Sequence, residues 1–178
     1  MEYVGVVYRI VALATSLTLC RVCFAQKPPD QEASEKMTAR IESIVNRAAQ
    51  PLDFSSPSSP ARITSAQIFF DTDDISEVQE YGPRAVPVLT KFLLNRNPRI
   101  ERAALRLLGA IGGAEIVDPL LEVLDKSTSP AGRYEALLNL RQAPCSKVVA
   151  RAILRIAKGD PDASVREQAQ GELSWCGM

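Results

Sequence analysis

The sequence contains no histidine. That absence removes the Ser–His and Cys–His pairs of nucleophilic catalysis and every imidazole metal site. Aromatic residues are scarce, at 6%, so Leu, Ala, Ile and Val must build the core. Charge of one sign is also missing in excess, because 21 basic residues balance 21 acidic ones. A nucleic-acid surface over the whole chain is therefore not expected, and only a local patch stays open. The uncharged apolar run Ile10–Cys20 is shorter than the roughly 20 residues of a spanning helix. One acidic cluster, Asp71, Asp73, Asp74, Glu77 and Glu80, invites comparison with a calcium loop. It has Ser76 where an EF-hand needs Gly, and Gly82 where it needs Glu. Acids there suit the positive end of a helix instead. No catalytic residues, cofactor or metal site are expected.

What is present begins with a leader. Arg9 precedes the apolar run, and the small residues Cys23 and Ala25 sit at the two positions a signal peptidase reads. Residues 1–25 are therefore expected to be a signal peptide cleaved before Gln26. An uncleaved N-terminal membrane anchor is the alternative. Cleavage removes Glu2, Arg9 and Arg21, so the mature chain stays near neutral. It also removes Cys20 and Cys23 and leaves Cys145 and Cys176. An exported protein in the periplasm or outside the cell would meet oxidising conditions.

Residues 26–70 are expected to form an N-terminal helix, Gln31 to Ala49, and a Pro/Ser-rich linker. Met37, Ile41, Ile44, Val45 and Ala48 make one apolar stripe. Three prolines and four serines then crowd residues 51–60. Ile68, Phe69 and Phe70 are too apolar for a free linker and are expected to dock on the first repeat.

Residues 71–178 repeat. Pro87-Val88-Leu89 recurs as Pro119-Leu120-Leu121, 32 positions on, and as Ala152-Ile153-Leu154 after a further 33. A second helix type aligns on Ala104, Ala136 and Ala169. The stretch Pro98–Leu124 shows one whole unit, two amphipathic helices parted by Gly112-Gly113. A period near 32 with two helices per unit predicts an all-α fold, a short α-solenoid of about three helical hairpins. One row is expected at Ala85–Leu94, Glu115–Leu124 and Lys147–Lys158. The other is expected at Asp74–Tyr81, Arg99–Ile111, Ala131–Leu140 and Ala163–Trp175. Asp74 with Glu77 fits an acidic capping box for the first of these.

These units resemble the HEAT-like repeat family, in particular the short units of phycobilin lyase subunits. The resemblance rests on Arg102-x2-Leu105-x2-Leu108-Gly109-x-Ile111-Gly112 and on Asp160-x-Asp162-x2-Val165-Arg166-x2-Ala169. It implies a superhelical, armadillo-like array that binds proteins along its inner row. The leading expectation is a non-catalytic protein–protein interaction or scaffold module, not an enzyme, whose partner the chain does not name. An accessory subunit of an enzyme complex, lyase-type or other, is the alternative. Nucleic-acid binding is not expected.

Two sets of residues stand out as sites. Lys147, Arg151, Arg155 and Lys158 step by helical spacing along one face and are candidate partner-binding residues. The competing reading is structural. Asp118, Glu122 and Asp125 precede Arg151, Arg155 and Lys158 by one repeat of 33, which predicts an acid–base ladder between stacked helices. Cys145 and Cys176 lie 31 apart at near-equivalent turns, so either a disulfide or two separate thiols fits. Trp175 ends the last helix and is expected to cap the core, as Tyr81, Phe92 and Tyr134 are expected to pack within it.

Overall fold

The computed structural model describes residues 29–50 and 70–177. The expected signal peptide and the segment 51–69, with Ile68 and Phe69, lie outside the described residues. Contacts divide the chain into two units, Met1–Lys36 and Met37–Met178. The described part of the first is the opening of helix α1 (Pro29–Ala48), which is exposed and carries a Lys36–Glu32 ion pair of 2.7 Å. The second unit holds the rest of α1 and all of the repeats.

The repeats run α2 (Thr72–Tyr81), a 3-10 turn Gly82–Ala85, α3 (Val86–Thr90) and α4 (Pro98–Ile111). A second 3-10 turn, Ala114–Ile116, leads into α5 (Val117–Lys126). Then come α6 (Pro130–Leu140), α7 (Lys147–Gly159) and α8 (Ala163–Trp175). No strand occurs among the described residues. Helices α2, α4, α6 and α8 pack successively as one row, and α5 packs on α7 in the other. Between the rows each member of the second set packs on the helix next in sequence, as α5 does on α6 and α7 on α8. This is a short helical solenoid. Leu105, Leu108, Leu120, Leu137, Leu140 and Ile153 are fully buried between the rows. Ala104, Ala136 and Ala169 are fully buried too, where small side chains allow helices to approach.

Three helices of the first row, α4, α6 and α8, begin with the same polar device. Asn97, Ser129 and Asp162 are the N-caps of α4, α6 and α8, and each accepts a backbone N–H of the first turn. Two residues earlier stand Asn95, Ser127 and Asp160. Each accepts the N–H of its cap residue, at 2.9, 3.2 and 2.9 Å. The unit boundary is thus written twice over in side chains that satisfy free backbone donors.

These turns also join the units through buried polar groups. Arg133, at the start of α6, donates Nε and Nη2 to the two oxygens of Asp160 at 2.7 and 2.8 Å. Its Nη1 donates to the Ser127 carbonyl at 2.9 Å. The Ser127 hydroxyl donates to Glu101 at 2.7 Å. Arg166 of α8 donates to the Asp160 carbonyl at 2.6 Å. Hydrogen bonding from Arg133 holds the Asp160 carboxyl below its ordinary range, and Asp160 in turn raises Arg133. Sequence reading overlooked this network. Its signal was the recurrence of Asn/Ser/Asp two residues before each cap.

Glycine is required where α4 meets α6. The Asn139 amide donates to the Leu105 carbonyl at 2.8 Å, and its oxygen occupies the space a Cβ on Gly109 would take. Gly112 and Gly113 take φ of 68° and 87°, and the Gly113 N–H crosses to the Gln142 carbonyl at 2.9 Å. The pair that ends a helix therefore also ties two repeats together.

Residues 37–48 of α1 cover the first repeat. Ile41, Ile44 and Val45 are fully buried, and Phe70 packs on the same core. Arg40 reaches Glu77 at 2.8 Å and Asp74 at 3.3 Å, and Arg47 also pairs with Asp74. Arg99 of α4 donates to the carbonyls of Ala49 and Gln50, both at 2.9 Å. Hydrogen bonds from Tyr81 and then Arg40 lower the Glu77 carboxyl, while Glu77 raises the Tyr81 phenol. The acidic cluster is thus divided. Asp71 caps α2, and Asp74 and Glu77 receive α1 arginines.

Three helix starts differ from expectation for a chemical reason. α2 begins at Thr72 because Asp71, rather than Asp74, is its N-cap. Pro87 and Pro119 have no N–H to close an α-turn, so both helices are approached through 3-10 turns. The expected helix Ala85–Leu94 accordingly narrows to Val86–Thr90. Tight turns then carry the chain to Leu94, whose φ is 57°. α7 has no such proline and starts directly as an α-helix, with the Ser146 hydroxyl accepting from Val149 N–H at 3.3 Å.

Candidate partner-binding face

α7 is sharply two-sided. Val149, Ile153, Ile156 and Ala157 are buried against the core. Lys147, Arg151, Arg155 and Lys158 are all exposed on the opposite side, as the spacing predicts. Val148 lies beside them, 60% exposed, an apolar side chain within a charged stripe.

The neighbouring face of α5 is acidic. Asp118 and Asp125 are exposed and Glu122 is half-buried. The expected ladder joins Asp118 to Arg151, Glu122 to Arg155 and Asp125 to Lys158. The structure makes one cross-helix link, and in a different register, since Arg155 pairs with Asp125. Glu122 is taken by Lys126 of its own helix at 2.9 Å, a bond that raises the Lys126 ammonium. Arg155 therefore reaches one turn further along α5, to the acid that is free. Both members of the Arg155–Asp125 pair are more than half exposed, so the link contributes only about 0–1 kcal/mol. Lys147, Arg151 and Lys158 have no ion pair or side-chain hydrogen bond among the described residues.

A disulfide joins Cys145 to Cys176, with Cα atoms 5.6 Å apart. Cys145 precedes the Ser146 cap of α7, and Cys176 is the C-cap of α8. The bridge ties the start of the basic helix to the end of the last one. Arg141 lies 3.6 Å from the buried Glu172 of α8. The exposed side of α8 carries Glu167, Gln170 and Ser174, a polar outer face. Trp175, Tyr81, Phe92 and Tyr134 are half-buried and pack against the core.

Chemically, three unsatisfied cations on one rigid helix offer charge-assisted hydrogen bonds to carboxylates. No group of three or more His, Cys, Asp or Glu able to hold a metal occurs among the described residues. Nor is any helix there long and apolar enough to cross a membrane.

Comparison with known proteins gives one result. Residues 75–141, from α2 to the end of α6, match the family model for HEAT repeats. No curated protein and no solved structure matches the chain. The matched stretch is HEAT-like, and HEAT repeats generally mediate protein interactions or scaffolding.

Proposed function

We propose that this protein is an exported, non-catalytic interaction module that holds the acidic surface of a protein partner on the exposed face of α7 and α5. The observation that carries the reading is the alignment of Lys147, Arg151 and Lys158, exposed and unpaired among the described residues. Helix–helix stacking leaves them free, so the fold itself gives no reason for three cations there. Export is supported by the leader pattern of residues 1–25 and by a disulfide, which persists in oxidising compartments.

Affinity capture from the exported fraction tests the binding part. The wild-type chain retains a partner that the triple variant Lys147→Glu, Arg151→Glu, Lys158→Glu loses. Equal capture by both removes the face from the function. For export, the first residue of the recovered protein is expected to be Gln26. A chain that keeps residues 1–25 and stays inside the cell overturns that part.

A further inference from the structure

We propose that the α5–α7 face binds a second copy of this chain, forming a two-fold dimer in which each copy's acidic α5 stripe meets the other's basic α7 stripe. The inference rests on the reading of this face as an interaction surface, and names its occupant.

The argument is charge complementarity. Asp118, Glu122 and Asp125 lie beside Lys147, Arg151, Arg155 and Lys158 on one exposed face. Among the described residues, only Arg155 and Asp125 join the two stripes. The stripes lie side by side and leave Asp118, Lys147, Arg151 and Lys158 without an ion pair among the described residues. Equivalent helices of successive repeats run in the same direction. A two-fold axis parallel to them, passing between α5 and α7, places α5 of one copy over α7 of the other. It does so reciprocally, as a closed symmetric interface requires. Asp118 and Glu122 then face Lys147 and Arg151, and the reverse pairing forms at the same time. Val148 supplies an apolar contact within this face.

The size of the face sets the strength. Ten and 13 residues of helix at about 1.5 Å each, laid side by side roughly 9 Å apart, cover on the order of 400 Å². A stable interface buries about 800 Å² on each partner. The dimer is therefore weak and strongly sensitive to salt, because its contacts are exposed ion pairs.

Sedimentation of the full mature chain at high concentration tests this. The wild type associates at about 50 mM salt and loses about tenfold or more in affinity at about 500 mM. Two variants sharpen the test. Lys147→Glu with Arg151→Glu turns the opening half of the basic stripe acidic, and Asp118→Lys with Glu122→Lys turns the opening half of the acidic stripe basic. Each alone is monomeric and keeps the helical circular dichroism of the wild type. Mixed in equal amounts, they form a heterodimer with wild-type affinity or better. A wild type that stays monomeric at low salt overturns self-association, as does a mixture that fails to pair. If such a monomer still captures a partner that the acidic variant loses, the interaction reading stands and only its occupant changes.

Discussion

Removing the guanidinium of Arg133 tests whether the buried inter-repeat network holds the array together. The Arg133 and Asp160 side chains are only 8% and 2% exposed, and two parallel hydrogen bonds join them. In Arg133→Met, Asp160 keeps the Asp162 N–H at 2.9 Å and the nearby half-buried Arg166, but loses the buried guanidinium that pairs with both of its oxygens. Breaking a buried pair from one side costs about 3–5 kcal/mol, since a charge is left without compensation. For a domain of this size each kcal/mol moves the melting temperature by about 2–4 °C, so the variant is expected to melt roughly 6–20 °C lower. Asp160→Leu should cost less, because Glu101 lies close enough to Arg133 to favour its charge. The double variant Arg133→Met, Asp160→Leu should recover most of the loss, because a packed apolar pair replaces two desolvated charges. The pH dependence has a definite sign. Asp160 is depressed in the folded state, so its contribution is full above about pH 4 and is lost as pH falls through the lower folded value. Urea titrations of the four proteins between about pH 2 and 7 supply the cycle. Additive single losses, or a wild type whose low-pH destabilisation is shared by Asp160→Leu, would falsify the coupling.

Three further outcomes come from other contacts. Reducing the Cys145–Cys176 bridge, which closes a separation of 31 residues, lowers stability by about 3–4 kcal/mol in the chain-entropy model. Unfolded, unreduced chain lacking residues 1–25 shows no titratable thiol, and two thiols would overturn the bridge. Gly109→Ala forces the Asn139 side chain aside and costs about 1–3 kcal/mol in a thermal melt. Beside Asn139→Ala the same change becomes neutral or stabilising, because alanine is the better helix former by roughly 1 kcal/mol. A Gly109→Ala cost unchanged by Asn139→Ala counts against the close approach. Ile44→Ala costs about 2–5 kcal/mol and shifts the single transition of the repeats, since Ile44 is fully buried. A separate early transition with the main melt unmoved would place α1 outside the cooperative unit.

The architecture was legible because its determinants are local and recur. Ala104, Ala136 and Ala169 marked the tight helix contacts, and the apolar spacing of α4, α5 and α7 marked their buried sides. What escaped were interactions whose partners stand in different turns. Arg133 reads in sequence as another surface cation, yet it is buried because Asp160 lies 27 residues ahead to receive it. The Arg40 and Arg47 pairs with Asp74 cross a segment whose composition carries no distance information. Helix starts erred where one missing proline donor, at Pro87 or Pro119, tightens the turn before it.

The ladder failed for a related reason, and its failure bears on function. Equal repeat spacing predicts that acid meets base at equal offsets, which holds only if nothing nearer competes. Lys126 sits one turn from Glu122 on the same helix and takes it at 2.9 Å. Arg155 then reaches on to Asp125, and Lys147, Arg151 and Lys158 are left over. A complete ladder would have paired every cation of the face except Lys147. The slip by one turn turns the same residues into an outward-facing pattern of separated charge. Lys126→Ala offers a way to ask which arrangement governs. It frees Glu122 for Arg155 and Asp125 from it, and it should weaken capture of an acidic partner while leaving the melting temperature nearly unchanged. Unaltered binding by that variant would show that the neutralising contact within α5 does not set the charge of the face.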